Sequence, residues 1–333
     1  KEDKMKKDIQ LCGMGNGLVD IQYRISEEIM AEFGMKKGEM RLIDNEERQR
    51  LEKFFKDYPF YRCSGGSAAN SIIAFSQLGG KAAYKTVLGN DELGKFYAKE
   101  FEQLGIDLFA EYKNDYPTGL CFVFIAPDSE RTMLTSLGAT AFFSTKNLIE
   151  DVIARSEWIY LEGYKFSQEE STKSVYKSIE LAKKYNTKIA FGVSDVFITE
   201  NFHSNVAKAV PEADLFFCNE NEALSFTKEK TIEKATSKLF NLVENVVITK
   251  GAQGSIIKWK NEIFEVNSFP ADAVDSTGAG DMFAGAFLYG VINKNNPHYA
   301  AKLASYCSAK VVSQLGARMD ADYEEIKQFI ANQ

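Results

Sequence analysis

Asp275-Ser276-Thr277-Gly278-Ala279-Gly280-Asp281 is the stretch on which the reading of this chain turns. It runs directly into Met282-Phe283-Ala284-Gly285-Ala286-Phe287-Leu288, part of a helical pattern over Asp281 to Ile292. Small residues just ahead of a helix leave its first N–H groups approachable. Those groups, with the positive end of the helix dipole, form an anion site. Phosphoryl transfer spreads negative charge over the γ-phosphate oxygens, so such a site stabilises the transition state. Asp281 falls in the first turn, where it can accept the proton of an attacking hydroxyl. An isolated Gly-x-Gly-Asp would suit a mere helix cap equally well; the full seven residues are more specific.

Outward from this loop, short β-rich runs alternate with longer helical patterns, the signature of a parallel sheet covered by helices. Ile9 to Met14, Ala82 to Val87, Trp158 to Leu161, Lys188 to Gly192, Leu215 to Cys218 and Asn245 to Thr249 read as strands. Ser67 to Leu78, Glu92 to Leu104, Glu169 to Lys184, His298 to Leu315 and Ala321 to Ala331 read as helices. Two regions break the rhythm. Asp20 to Arg24 and Gly38 to Ile43 look like short strands. Thr118 to Ala126 and Arg131 to Ser136 alternate like a hairpin turned at Pro127-Asp128-Ser129-Glu130. Together they predict a small β-layer, built discontinuously from about residues 18–44 and 112–137, that sits over one edge of the sheet as a lid. No linker rich in Pro, Gly or Ser divides the chain, so residues 1–333 are expected to form one α/β domain.

Composition narrows the function. The 333 residues are 45% hydrophobic, enough for a sizeable core, and carry 40 basic against 47 acidic side chains with the signs mixed. There is no basic block to grip a phosphate backbone, which argues against nucleic-acid binding. Cys12, Cys63, Cys121, Cys218 and Cys307 are scattered and never spaced as CxxC; they read as buried apolar residues in a reducing compartment. Only His203 and His298 occur, so a histidine-rich metal site or a Ser-His-Asp triad has little material. No apolar run approaches the ~18 residues that span a membrane. Lys1 to Asp8 is charged and unlike a signal peptide, with Met5 a candidate initiator, and a cytoplasmic setting is expected. Other phosphate motifs fail: no Gly-x-x-x-x-Gly-Lys-Ser/Thr occurs. Gly13-Met14-Gly15-Asn16-Gly17-Leu18 invites a dinucleotide-binding dehydrogenase, but Leu18 stands where the third glycine belongs.

Asp275 to Asp281 resembles the C-terminal signature of the ribokinase-like (pfkB-type) carbohydrate and nucleoside kinases. A second signature lies far upstream in Ser64-Gly65-Gly66-Ser67-Ala68-Ala69-Asn70 and Leu78-Gly79-Gly80. Gly13 to Asp20 is similar to the opening of adenosine kinases. Arg131-Thr132-Met133, Glu162-Gly163-Tyr164 and Gly316-Ala317-Arg318 resemble the bacterial adenosine-kinase-like branch. The resemblance covers nearly the whole chain. It implies a ribokinase-like three-layer α/β/α fold with a mostly parallel sheet and a small β-sheet lid. It also implies an ATP-dependent and Mg2+-dependent kinase acting on a small molecule, with adenosine ahead of ribose, fructose or 2-keto-3-deoxygluconate. A rival of another class is a ligand-binding protein that kept the fold and lost catalysis.

The resemblance carries roles onto single residues. Asp281 is the base, and Gly278, Ala279 and Gly280 form the anion site. Asp20 accepts from two neighbouring sugar hydroxyls, which suits a carboxylate with two oxygens. Asn16 and Asn70 contact the sugar, and Gly65 and Gly66 let the backbone approach it. Tyr164 and Phe166 correspond to residues that flank the acceptor's base. Asn219 and Glu222, in Asn219-Glu220-Asn221-Glu222, lie near the phosphates, with Glu222 holding magnesium through water. Thr249, Lys250, Gly251 and Gly254 are placed on the nucleotide side. Asp275 and Thr277 match positions that enclose a monovalent cation (K+), and Arg131 is placed to reach the moving phosphoryl group as the lid closes. The oligomeric state stays open between monomer and homodimer.

Overall fold

The computed structural model describes residues 6–128 and 130–332. Met5, the candidate initiator, and Ser129, in the expected hairpin turn, lie outside the described residues. In chain order the strands are β1 (Ile9–Met14), β2 (Leu18–Arg24), β3 (Met40–Leu42), β4 (Tyr61–Gly65), β5 (Ala82–Gly89), β6 (Asp107–Lys113) and β7 (Gly119–Ile125). They continue as β8 (Arg131–Ser136), β9 (Ser156–Glu162), β10 (Lys188–Gly192), β11 (Leu215–Asn219), β12 (Asn245–Thr249), β13 (Ser255–Trp259) and β14 (Glu262–Val266).

Nine strands form one sheet in the order β14-β13-β12-β11-β10-β9-β1-β5-β6. From β12 to β6 all neighbours are parallel, and β13 and β14 add an antiparallel edge. The central strands read as unbroken apolar runs because helices cover both faces. β5 is buried along its whole length. One face packs against helices Ser67–Gln77, Ala279–Lys294 and Pro297–Val312. The other packs against helices Glu169–Lys184 and Ile232–Leu242. The architecture is three-layer α/β/α. Strands β6 and β14 at the sheet edges, and β13 beside β14, escaped the sequence reading because they mix polar and apolar residues.

A second sheet runs β3-β8-β7-β2-β4. Its expected hairpin pairs antiparallel, with Ile125 opposite Arg131 and Phe122 opposite Leu134. β4 belongs to it although Tyr61-Arg62-Cys63-Ser64-Gly65 has no apolar alternation, and residues 112–113 belong to β6 of the large sheet. Val19 and Tyr23 of β2 point into the core beside Phe55 and Phe124. Asp20 points the other way, as strand periodicity demands. Register sets one row across this sheet: Cys63, Asp20, Cys121, Thr135, Leu42. Among the described residues no helix is long and apolar enough to cross a membrane. All five cysteines are buried and free.

Helices Ser67–Gln77 and Ala279–Lys294 touch closely at Gly285, where a Cβ would lie 2.2 Å from the Ser71 carbonyl oxygen. Gly285→Ala is therefore expected to push the two helices apart and cost about 1–3 kcal/mol of stability, as overpacking does. A lowered urea midpoint checks this; an unchanged midpoint contradicts so close a contact.

Candidate functional site

The parallel strands end on one side of the sheet, where open α/β folds place ligands. There the chain leaves a cleft of about 90 Å³ lined by Ser67, Tyr160, Asn219, Glu222, Thr249 and Asp281. Asp281 stands in the first turn of helix Ala279–Lys294. Ser67 Oγ donates to its Oδ1 at 2.7 Å and Asn70 Nδ2 to its Oδ2 at 3.1 Å. Burial pushes the Asp281 carboxyl up to about 6, and the two hydrogen bonds oppose the rise. The two glycine-rich signatures thus meet at one carboxylate. Ser67, absent from the sequence candidates, is in direct contact with it; its place after Gly65-Gly66 was the available signal.

The helix start is open as expected. Gly278 holds φ +75 and would drive a Cβ to 2.4 Å from Ala317 Cβ, so only glycine fits. A Cβ at Gly280 would meet nothing within 4 Å. Ala279 N–H donates to the Ser276 carbonyl oxygen at 3.2 Å. The Gly280 and Asp281 N–H groups have no acceptor among the described residues, as an anion site requires.

On the acceptor side, Asp20 lies over Gly65 so closely that a Cβ there would sit 2.3 Å from its carboxylate. A Cβ on Gly66, at φ +105, would lie 2.3 Å from the Asn16 carbonyl oxygen. Burial pushes Asp20 up to about 7, with Arg318 and Arg131 opposing the rise and Asp281 and Glu100 adding to it. Arg318 pairs with Glu100 and donates to Ser64 Oγ at 2.5 Å, tying β4 to the loop after helix Pro297–Val312. From Asp20 the row across the second sheet leads to Thr135 and Leu42. Both line a larger cavity of about 440 Å³ with Ile43, Tyr116, Leu137 and Gln168. Tyr164 is half-buried, and its hydroxyl is raised by burial and by Asp195, Asp281, Glu162 and Glu222. Phe166 is corrected: it is 1% exposed, in the core against Tyr176 and Phe191, with no face left for a ligand.

On the nucleotide side, Asn219 and Glu222 form a reciprocal cap, Glu222 N–H to Asn219 Oδ1 and Asn219 N–H to Glu222 Oε2. Burial pushes Glu222 up to about 7, with Asp195 and Asp281 adding to it. A buried carboxyl facing other carboxyls, with one oxygen uncommitted, fits a hydrated Mg2+. The side chain of Lys250 turns away: its Nζ lies 3.0 Å from Glu265 on β14. Gly254, at φ +84, serves the β12–β13 turn, since a Cβ would lie 2.0 Å from the Val266 carbonyl oxygen. Gly251 leaves open space around itself. These are corrections to the nucleotide roles of the Lys250 side chain and Gly254. Ser194, which also lines the cleft, holds φ +80, a strained backbone of the kind found at functional sites.

Arg131 reaches across from the second sheet. Its Nη2 lies 2.5 Å from Asp275 Oδ2, and both side chains are buried. The approach lacks hydrogen-bond geometry, so the guanidinium nitrogens remain without hydrogen-bond partners. A buried guanidinium with unused donors suits an anion. Asp275 also accepts from Thr277 N–H at 2.9 Å and Gly316 N–H at 2.8 Å. Each Asp275 oxygen thus accepts one backbone N–H, with the Arg131 guanidinium beside them.

Comparison with known proteins identifies the family. The model of the pfkB family carbohydrate kinases matches residues 39–322. Adenosine kinase 2 of Arabidopsis thaliana is 24% identical over 92% of this chain and 94% of its own length. A probable sugar kinase from Rhizobium etli superposes with a TM-score of 0.90 at 27% identity, over 98% of this chain and 99% of its own. The adenosine kinase from Sinorhizobium meliloti superposes at 0.88 and 27% identity, over 96% and 99%. The chain belongs to the pfkB family of carbohydrate kinases, and it is a phosphotransferase with an alcohol group as acceptor.

With Asp281 as the expected base, which must be ionised to accept a proton, kcat/KM is expected to fall as pH drops through about 6. Ser67→Ala removes a hydrogen bond to the ionised form and should move that limb to higher pH. A pH–rate profile unchanged in Ser67→Ala contradicts the contact's role.

Proposed function

We propose that the chain transfers the γ-phosphoryl group of ATP to a primary hydroxyl of a nucleoside, with adenosine, giving AMP, as the first candidate. The observation that carries the acceptor class is the row from Asp20 to Leu42. Two strand spacings of about 4.8 Å each separate Asp20 from Thr135 at the 440 Å³ cavity. In this reading a ribose whose diol lies on Asp20 extends its base along this row toward that cavity, which a lone sugar would not reach. The relatives' names divide between adenosine and sugar kinases and do not decide between them.

Asp281 accepts the proton of the acceptor hydroxyl. The acceptor oxygen bonds the γ-phosphorus, the bond to the β–γ bridging oxygen breaks, and ADP leaves. The N–H groups of Gly280 and Asp281 and the guanidinium of Arg131 meet the charge on the transferring group. Asn70 holds Asp281 with its Nδ2 and keeps Oδ1 for a ring hydroxyl. Asn219 and Thr249 flank the phosphates, and Glu222 would hold Mg2+. Mg2+ neutralises phosphate charge when bound. No monovalent cation enters this reading. Arg131 on the second sheet makes that sheet a closing lid, which excludes water.

ADP release is expected with adenosine or inosine and little with ribose or fructose. Asp281→Asn should lower kcat about 10²–10⁴-fold while leaving nucleotide binding largely intact. Turnover of ribose or fructose with none of any nucleoside overturns the acceptor; full activity of Asp281→Asn overturns the base.

A further inference from the structure

Behind the acceptor site lie two buried charges that phosphoryl transfer does not use. Lys165, in the turn Gly163–Ser167 after β9, is 4% exposed. Its ammonium donates to Asn16 Oδ1 at 2.8 Å and to the Thr140 carbonyl oxygen at 3.4 Å. It also lies 4.6 Å from the centre of the Phe143 ring. Glu162, 1% exposed, faces it. Glu162 Oε1 accepts from Asn16 N–H at 2.7 Å and Oε2 from Ala68 N–H at 2.8 Å. One carboxylate therefore ties the loop after β1 to the first turn of helix Ser67–Gln77. Burying a lysine is costly, and the cost is met only when its donors and charge find partners.

An ammonium group has three donors and no acceptor. The Asn16 atom beside it must be the amide oxygen, because the reversed amide would set NH2 against NH3+. Thr140 Oγ1 approaches the same oxygen at 3.3 Å. Both neighbours hold Oδ1, while Nδ2 has no partner among the described residues. Asn70 has the opposite polarity, since its Nδ2 is committed to Asp281.

We infer that Lys165 is a positioning residue that fixes Asn16 as a hydrogen-bond donor toward the acceptor molecule. The site then selects acceptors that present a lone pair at that point, such as a ring oxygen or ring nitrogen. This rests on the acceptor site proposed above. Asn16→Asp keeps an oxygen for Lys165 and replaces the donor NH2 with a second acceptor oxygen, adding a negative charge that the ammonium faces.

Two measurements test it. The first needs no acceptor: thermal unfolding of the wild type, Asn16→Asp, Lys165→Met and the double variant. Asn16→Asp should lower Tm far less with Lys165 present than in the Lys165→Met background, because the ammonium pairs with the new carboxylate. Lys165→Gln serves as the background if Lys165→Met does not fold. Equal losses in both backgrounds overturn the contact. The second uses the acceptor that the wild type phosphorylates best. Asn16→Asp and the Lys165 variant should each raise its KM about tenfold, the effect of one hydrogen bond, with smaller changes in kcat and in KM for ATP. An unchanged KM for the acceptor in Asn16→Asp overturns the inference. Absence of wild-type turnover counts against the proposed function, and the unfolding cycle then decides the inference.

Discussion

The carboxylate of Asp281 is held from two sides by Ser67 and Asn70, 214 and 211 positions away in the chain. Ser67 and Asn70 stand one helical turn apart on helix Ser67–Gln77, so their side chains lie on one face. That face meets the first turn of helix Ala279–Lys294, and Gly285 allows the backbones to approach. Most of the site follows from this contact. The same helix start that carries Asp281 carries the open N–H groups of Gly280 and Asp281. The same loop that carries Ser67 carries Gly65 and Gly66 against Asp20 and Asn16. Hydrogen bonds to an ionised group are worth about 1.5–3 kcal/mol each. Two of them still leave Asp281 at about 6, above its ordinary 3.8, so desolvation outweighs both. A carboxylate in that range is a better proton acceptor near neutral pH than an exposed one.

Charge is concentrated around this point. Asp20, Glu222 and Asp281 are all raised by burial, and Asp281 raises the other two. Such a cluster favours cations. Arg318 and Arg131 oppose the rise at Asp20, and Glu222 has no protein cation beside it among the described residues. The asymmetry separates the two ends of the site: guanidinium groups around Asp20, and a carboxylate suited to a metal at Glu222.

The central strands were legible because both their faces are buried, which writes continuous apolar runs into the sequence. Lys188–Gly192 and Asn245–Thr249 fall where the runs indicate. Glu169–Lys184 was legible because its apolar residues keep helical spacing. The site's two signatures were legible as short, dense patterns of small residues. What escaped depends on long-range packing. Tyr61–Gly65 joins the second sheet through backbone pairing with β2, and its side chains carry no alternation. Phe166 and Tyr164 are two residues apart, yet a tight turn sends one ring to the core and leaves the other half-buried. Lys165 and Glu162 look like surface charges in sequence; only the fold brings them under Asn16. Lys250 follows a strand end in a motif that suggests phosphate contact, but β14 offers its side chain a nearer carboxylate.

Identifying the phosphorylated atom tests the central claim most directly. In the proposed function a ribose is anchored on Asp20, and its primary hydroxyl is then the group that loses its proton to Asp281. Proton-coupled 31P NMR of the product of adenosine and ATP should give a phosphomonoester split into a triplet by two methylene protons. A doublet from a secondary phosphate, or inorganic phosphate alone, would contradict the account.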